Sequence, residues 1–333
     1  ARQRIGSTVR RTPQVISSTL SEALRTNIYC KLEMFQKTGS FKVRGVFNKV
    51  LGLTGEAREA GLVAVSGGNH GLAVAYAARA LDMKSLILMP EGTPTNFVEA
   101  AEGYGAEVEF ARSAAEAFAQ VEDLTRSGWC FLPPFDDPAI IAGQGTLGLE
   151  ILEDTPHVTD VIVSIGGGGM MTGVATAIKS LKPDVRIWGV ETEGADCMSQ
   201  SLSAGQIVTL DGARSVARAL GALAPSPTTF HAAQSLLEGV TVVPDDEALD
   251  SLRFLLERMK ILVAKGTIAP RAAYEPVAAR IIEVDSGGVT GVNPGSPDLA
   301  KVTSTGGTVG AETSGTKFVG LGVKGKGSNG TNC

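Results

Sequence analysis

Residues 62–71 read Leu62-Val63-Ala64-Val65-Ser66-Gly67-Gly68-Asn69-His70-Gly71, an apolar run that passes directly into a loop of small residues. The apolar run predicts a buried strand, and the periodicity of residues 71–81 predicts a helix after the loop. Backbone N–H groups at the start of a helix can bind an anion, and Ser66 and Asn69 add side-chain donors. The alternative is an ordinary helix cap, in which Asn69 caps the helix that follows.

Strand and helix patterns alternate in the same way along most of the chain. Further strands, several of them apolar on both faces, are predicted at 85–89, 108–110, 160–165 and 186–190. Helical periodicity is found at 96–104, 114–126 and 172–181. Because this alternation requires crossover connections, the sequence predicts an α/β fold with doubly wound parallel sheets. A ligand is expected at the carboxyl ends of the strands 62–65 and 160–165.

The length of the chain, 333 residues, favours two domains. Three strand–helix units predict a small domain at 48–140, inserted in a large domain formed by residues 1–47 and 141–333. The second set of units is expected to start near Gly143, and the ligand is expected between the two domains. Residues 286–333 are rich in Gly, Ser and Thr, and no fold is predicted for them.

Four consecutive glycines, Gly166 to Gly169, follow the strand predicted at 160–165. In regular structure each glycine costs about 0.5–1 kcal/mol relative to alanine, and a simple turn needs only one or two. The tract therefore indicates close approach of the backbone to a ligand, and a phosphate at a helix N-terminus is the best candidate. Met171 replaces the third glycine of a dinucleotide fingerprint, and no Gly-Lys-Ser/Thr follows, as a P-loop would require.

A lysine in an apolar setting lies in the segment Ser40-Phe41-Lys42-Val43-Arg44-Gly45. Burial disfavours the charged form, so such a lysine loses its proton more readily than an exposed one. A neutral amine is the form that reacts with an aldehyde cofactor. The alternative is a surface lysine at the start of a helix.

The composition, 43% hydrophobic and 20% charged, is that of a globular protein that can bury a core without disulfides or metals. A formal net charge of -5 argues against a nucleic-acid partner. The four cysteines lie far apart and predict free thiols in a reducing compartment. No apolar run is long enough for a membrane span, and the N-terminus lacks a secretory signal, so we expect a cytoplasmic protein without membrane contact.

Together and in this order, the motifs resemble those of the threonine/serine dehydratase family of pyridoxal-phosphate enzymes, which have the tryptophan-synthase-β-like fold, fold type II. The resemblance extends from about residue 5 to residue 262. It implies that pyridoxal 5'-phosphate binds in the cleft between two domains. The segments that carry it are Val9-Arg10-Arg11-Thr12-Pro13, Lys31-Leu32-Glu33, Thr38-Gly39-Ser40-Phe41-Lys42-Val43-Arg44-Gly45, Ser66-Gly67-Gly68-Asn69-His70, and Gly166 to Gly169 with Met170.

The resemblance implies a role for each motif. Lys42 would hold the cofactor and move the α-proton of the substrate, Phe41 would pack beside the cofactor ring, and Asn69 would contact its 3-hydroxyl. Thr305, in Thr305-Gly306-Gly307-Thr308, is the nearest match to the residue that contacts the ring nitrogen. The two loops would bind anions: the phosphate at Gly166, Gly167, Gly168, Gly169 and Met170, and the substrate carboxylate at Ser66, Gly67, Asn69 and His70.

The expected reaction is the loss of water and ammonia from a small amino acid with a β-hydroxyl, L-threonine or L-serine, to give a 2-keto acid. A hydroxyl beside the ring nitrogen leaves it largely unprotonated, which favours loss of the β-substituent over transamination. Gly67 replaces the serine that racemases of the family carry, so racemisation is disfavoured. Open alternatives are dehydration of hydroxyaspartate or phenylserine, β-replacement as in cysteine synthase, phosphate elimination as in threonine synthase, and a non-catalytic phosphate-ligand binding protein.

Two segments of the family have no counterpart in this sequence, and the family also suggests an assembly. The Ala-Asp-Gly segment that helps some family members to hold a divalent ion has no clear match near Ala217–Ala222, so a divalent or monovalent cation is unsupported. The family's Glu-Pro-Ser/Ala-Gly segment is replaced after Val263 by Ala264-Lys265-Gly266. By analogy with the family, we expect a homo-oligomer, a dimer.

Overall fold

The computed structural model describes the backbone of residues 1–258, 261–263, 278–283 and 319–323, with side chains as far as residue 254 except at 114 and 115. The chain divides into two units, Ala1–Leu249 and Asp250–Cys333. In the second unit, the described strands form a three-stranded antiparallel sheet in the order β10-β12-β11. These strands are β10 (Ile261–Val263), β11 (Ala278–Glu283) and β12 (Val319–Val323).

The N-terminal segment of the first unit contains a short antiparallel strand pair and the helix that begins at the candidate lysine. Its elements are α1 (Arg2–Ile5), β1 (Gln14–Ile16), α2 (Ser18–Leu24), β2 (Tyr29–Lys31) and α3 (Lys42–Val50). The residues from Val43 to Asn48 are all buried, so α3 is a core helix whose first residue lies at the edge of the core.

A four-stranded parallel sheet follows, in the order β5-β4-β3-β6. Successive residues of its central strands enter two different apolar clusters, Ala64 on one face and Val63 on the other, as predicted for a sheet covered on both sides. The elements are α4 (Gly55–Ala60), β3 (Leu62–Val65), α5 (Asn69–Ala80), β4 (Ser85–Pro90), α6 (Thr95–Gly103), β5 (Glu107–Ala111), α7 (Ala114–Arg126) and β6 (Cys130–Phe131).

A second parallel sheet has the order β7-β8-β9. Val161, Val163 and Ile187 are buried on one face, whereas Ile162 on the opposite face is 70% exposed. The α/β class with parallel sheets is thereby confirmed. The elements are α8 (Pro138–Asp154), β7 (Asp160–Ser164), α9 (Gly169–Leu181), β8 (Arg186–Thr192), α10 (Cys197–Ala204), α11 (Pro227–Leu236), β9 (Gly239–Val243) and α12 (Asp245–Arg258).

Helix α8 corrects one expectation, because Gly143 lies inside it and not at the start of a strand–helix unit. A Cβ on Gly143 would lie 2.5 Å from the carbonyl oxygen of Arg44 in α3. On the other side of α8, a Cβ on Gly173 of α9 would lie 2.3 Å from the carbonyl oxygen of Ile141. Helix α8 therefore packs in close contact with the helix that carries Lys42 and with the helix that follows the glycine tract.

Among the described residues, no helix combines the length and the apolarity needed to cross a membrane. Cys30, Cys130 and Cys197 are free thiols, as predicted.

Candidate active site

Lys42 is the first residue of α3, and its side chain is only partly accessible to solvent. The Nζ atom donates a hydrogen bond of 2.7 Å to the carbonyl oxygen of Pro134 and lies 5.3 Å from the centre of the Phe41 ring. Desolvation by the surrounding protein lowers the pKa of the Lys42 amine to about 8. A substantial fraction of this amine is therefore neutral at physiological pH, and the alternative of an exposed surface lysine is wrong.

The loop from Ser66 to His70 joins β3 to α5. Gly68 is the N-cap of α5 and Asn69 is its first residue, so Asn69 does not have the capping position that the alternative interpretation assigned to it. Within the described part of the chain, no side chain caps this helix. Its first backbone N–H groups therefore remain available to an anion.

His70 is buried, 3% exposed, and the Nε2 atom of its ring lies 2.8 Å from the carbonyl oxygen of Leu132. A carbonyl oxygen only accepts hydrogen bonds, so Nε2 carries the ring proton. Burial, reinforced by the nearby charge of Lys42, lowers the pKa of His70 to about 3. The imidazole is consequently neutral throughout the range in which enzymes usually work.

The glycine tract forms the turn between β7 and α9. Gly168 has a φ of 86° and is the N-cap of α9, which no side chain of the described residues caps. A Cβ on Gly167 would lie 2.2 Å from the Phe135 ring, so part of the need for glycine comes from protein packing. The tract thus contains a left-handed residue, Gly168, and a tightly packed one, Gly167. It leads into a helix N-terminus whose N–H groups no side chain of the described residues caps.

A short segment that sequence reasoning missed, residues 132–135, connects all three motifs. Its carbonyl oxygens at Leu132 and Pro134 accept from His70 and Lys42, and Phe135 packs on the glycine tract. The segment follows β6, which pairs in parallel with β3, so it emerges at the same sheet edge as the loop 66–70. The two prolines directly after a short apolar run were the available sequence signal.

A buried ion-pair network around Arg44 fixes the position of α3, the helix that begins at Lys42. The guanidinium of Arg44, 0% exposed, binds Glu33 at 2.8 Å and Glu150 at 2.6 Å. Burial opposes the charged form of Glu150, but hydrogen bonds from Arg44 and Lys31 outweigh it and lower the pKa of that carboxyl. The network joins α3, α8 and the segment after β2, and it places the backbone of Lys42.

A fully buried acid, Glu191, lies near the glycine tract at the end of β8. Its carboxylate accepts hydrogen bonds from the backbone N–H groups of Met198 and Ser199 at 3.0 and 2.7 Å. Burial raises its pKa to about 7. The neighbouring Cys197 Sγ lies 3.9 Å from the carbonyl oxygen of Gly166, and the methyl group of Met198 lies beside Gly168. The position of this acid at the end of an apolar strand was a sequence signal that could have identified Glu191.

The motifs that the sequence singled out thus meet around one segment, apart from Thr305, which lies outside the described residues. A family model for pyridoxal-phosphate dependent enzymes matches residues 5–295. The chain belongs to this family of pyridoxal-phosphate dependent enzymes. The family assignment confirms the expected cofactor class and the fold type.

Several relatives of the chain have assigned activities. The L-threonine ammonia-lyase of Thermotoga maritima is 38% identical over 301 residues, which is 88% of this chain and 75% of that protein. The catabolic L-threonine dehydratase of Escherichia coli is 35% identical over 314 residues, 93% and 95% of the two chains.

Solved structures agree with this assignment. A maize serine racemase superposes with a TM-score of 0.75 at 34% identity and covers 77% of this chain and 78% of that one. A T.th. threonine deaminase gives a TM-score of 0.73 at 38% identity, with 77% and 84% covered.

Pyridoxal phosphate fits the residues present. An aldehyde cofactor needs a neutral amine, and desolvation supplies one at Lys42. Its phosphate needs several N–H donors that are not already paired, and the uncapped start of α9 offers them. The buried Nδ1 atom of His70 has no hydrogen-bond partner among the described residues, as expected of a polar atom whose partner belongs to a bound group.

Proposed function

We propose that this protein is an ammonia-lyase that converts L-threonine or L-serine to a 2-keto acid and ammonia. The observation that carries the proposal is the setting of Lys42, a desolvated amine tied through residues 132–135 to two uncapped helix N-termini. The substrate class rests on relatives named for L-threonine that are 35% to 41% identical over most of the chain.

The glycine tract is the proposed phosphate site. The N–H groups of Gly166 to Gly169 and of Met170 would donate to the phosphate, at the positive end of the α9 dipole. Phe41 would pack against the cofactor ring, and Asn69 would donate to the ring hydroxyl. Thr305 remains a proposal for the partner of the ring nitrogen.

The loop from Ser66 to His70 is the proposed carboxylate site. The N–H groups of Asn69 and His70 at the start of α5 suit a carboxylate for the same electrostatic reason. Gly67 would contribute its N–H and Ser66 its hydroxyl. Binding here would orient the α-carbon of the amino acid toward Lys42. Positioning of this kind turns a collision between two molecules into a step within one complex.

Lys42 is the proposed base. With a pKa near neutrality its amine can accept the α-proton at physiological pH, and positioned proton transfer typically contributes about 10²–10⁴-fold to a rate. When bound, pyridoxal phosphate supplies the electron sink for the bond electrons that this proton leaves behind. Pro134, whose carbonyl oxygen accepts from Nζ, would hold the amine between transfers.

Gly67 supports dehydration over racemisation. Racemisation needs a second proton carrier on the opposite face of the substrate, and glycine has none. A Cβ at Gly67 would lie 2.4 Å from Oγ1 of Thr93, so the space for such a side chain is filled. Bulkier substrates, β-replacement, phosphate elimination and plain ligand binding remain the alternatives to test.

The domain division is also a proposal: 48–140 as a small domain around the four-stranded sheet, and 1–47 with 141–333 as the large one. It is supported within the first unit by the separation of the apolar cluster around β7 and β8 from the two clusters of the four-stranded sheet. One of these two clusters also includes Val43, Val46 and Phe47 of α3, which packs against the small domain. A dimeric assembly is proposed by analogy with the family. A cytoplasmic location is proposed because the widely spaced cysteines indicate a reducing compartment.

The test is an assay of the purified protein with a panel of β-hydroxy amino acids. The visible spectrum should show bound cofactor, and keto acid should be released from L-threonine or L-serine faster than from hydroxyaspartate or phenylserine. Lys42→Ala should abolish release, whereas Lys84→Ala, at an exposed lysine, serves as the matched control. A protein that carries cofactor but releases no keto acid from any of the four would overturn the proposal.

A further inference from the structure

The two ring nitrogens of His70 differ in their hydrogen bonding. Nε2 donates to the carbonyl oxygen of Leu132 at 2.8 Å. Nδ1 therefore has no proton and presents a lone pair, and it is buried without a hydrogen-bond partner in the part of the chain that the structure describes. A buried acceptor that lacks a partner is unfavourable, so its presence beside Lys42 points to a ligand that donates to it.

The charge of the ring limits what that ligand group can be. The imidazole stays neutral because burial and the charge of Lys42 lower its pKa to about 3. A neutral ring whose N–H is already used cannot donate to a carboxylate or a phosphate, which are themselves acceptors at neutral pH. Any contribution of His70 to carboxylate binding must therefore come from its backbone N–H, and the ring must meet an O–H or N–H donor.

A β-hydroxy amino acid brings two such donors, its amino group and its β-hydroxyl. The amino group is the atom that reacts at the cofactor, and the ring hydroxyl of the cofactor is assigned to Asn69 in the proposed function. The β-hydroxyl is the donor that remains. We propose that Nδ1 of His70 accepts a hydrogen bond from the β-hydroxyl of the bound amino acid and thereby makes the enzyme selective for β-hydroxy substrates. This inference rests on the proposed function.

Such a contact would affect which substrates the enzyme accepts more than the rate of the chemical step. By donating its proton to Nδ1, the hydroxyl is fixed in one orientation while its oxygen lone pairs stay open to a proton donor. A substrate without a β-donor leaves the buried acceptor unpaired, and sites of this kind reject the analogue that lacks the donor by large factors. His70 would thus separate β-hydroxy amino acids from those with other β-substituents.

L-Serine and β-chloro-L-alanine form a matched pair for the test. They differ only in the β-substituent, a donor in one and a non-donor in the other. In both cases the Cα–H bond and the bond to the β-substituent break, water or chloride leaves, and hydrolysis gives pyruvate and ammonia. The quantity to measure is the ratio of kcat/KM for L-serine to kcat/KM for β-chloro-L-alanine.

The variant is His70→Gln, whose amide N–H can still donate to Leu132 but which places no acceptor at the position of Nδ1. We expect the ratio to fall about 100-fold, because loss of the acceptor lowers the activity on L-serine far more than the activity on β-chloro-L-alanine. His231→Gln, in an exposed histidine of α11, is the control and should leave both values unchanged. An equal loss on both substrates, or no loss, would overturn the inference.

Two further measurements keep the outcomes separate. If His70→Gln does not fold by circular dichroism, His70→Asn is used instead; its Oδ1 keeps an acceptor near the position of Nδ1. That variant should retain the preference for L-serine, and a ratio lowered about 100-fold would contradict the role of Nδ1. A wild-type enzyme that acts on β-chloro-L-alanine but on neither L-serine nor L-threonine would remove the proposed function, and the inference with it.

Discussion

Lys42 and Pro134 are joined by a hydrogen bond of 2.7 Å between the Nζ atom and a backbone carbonyl oxygen, although 92 residues separate them in the chain. Two residues earlier in the same segment, Leu132 accepts from His70. One residue later, Phe135 fills the space beside Gly167. The segment after β6 is therefore the common support of Lys42, the loop 66–70 and the glycine tract, which are the proposed base, carboxylate site and phosphate site.

Cofactor capture by the cofactor-free protein should depend on pH through Lys42. Only the neutral amine reacts with the aldehyde, so the rate should rise with pH and level off above about 8, where an ordinary lysine would continue to rise to about 10.4. Stopped-flow absorbance after mixing with pyridoxal phosphate gives this profile. A rate that still rises steeply between about pH 9 and 10 would contradict a lowered pKa.

Gly167→Ala should weaken both stability and cofactor binding, because its methyl group would overlap the Phe135 ring. Overpacking of this kind typically costs about 1–3 kcal/mol in the free energy of unfolding. Denaturant titration and the dissociation constant for pyridoxal phosphate are the measurements. Adding Phe135→Ala should restore part of the stability. Gly55→Ala in α4, whose Cβ would contact nothing within 4 Å, should lower neither quantity.

Arg44→Met should strongly destabilise the protein, because Glu33 and Glu150 lose their shared buried cation. Removal of one partner from a buried ion pair costs about 3–5 kcal/mol in the free energy of unfolding. The exposed pair of Arg253 and Asp250 provides the control, since Arg253→Met should cost about 0–1 kcal/mol. If the two variants unfold at the same denaturant concentration, the network does not stabilise α3.

Glu191 should make stability fall as pH rises toward neutrality. Its pKa is raised from 4.5 to about 7 in the folded protein, so the native state binds more protons than the unfolded chain between these values. Stability is then fully present below about pH 4.5 and is lost up to about pH 7, by at most about 1.4 kcal/mol per pH unit. Glu191→Gln should lack this slope in chemical unfolding at a series of pH values. An identical slope in the variant would assign the dependence to other groups.

Introduction of a proton carrier at Gly67 should require a second change. Gly67→Ser alone is expected to disturb the loop, because Oγ1 of Thr93 lies 2.4 Å from the position of its Cβ. Gly67→Ser combined with Thr93→Ala should fold normally and should convert some L-serine to D-serine, which chiral chromatography detects. Racemisation by the wild-type enzyme at a rate comparable to dehydration would show that another group carries the second proton.

The sequence by itself determined the fold class and predicted where the candidate site lies. Period and composition identified β3 from 62 to 65 and α7 from 114 to 126 with their observed bounds, because strand and helix periodicity are local properties. The sequence also predicted ligand-binding loops after β3 and near the end of β7, because parallel strands present their carboxyl ends at one edge of a sheet. The apolar setting of Lys42 likewise followed from its neighbours in the chain.

Only the tertiary structure decided which distant groups meet in the site. Pro134, Leu132 and Phe135 contact it through backbone carbonyls and ring packing, and neither leaves a periodic signal in the sequence. The prediction near Gly143 was wrong because that glycine serves helix packing in α8 and not a turn. The proton position on His70 and the pKa values of Lys42 and Glu191 depend on burial and on partners from other elements. Burial is a property of the packed fold, and the local sequence does not carry it.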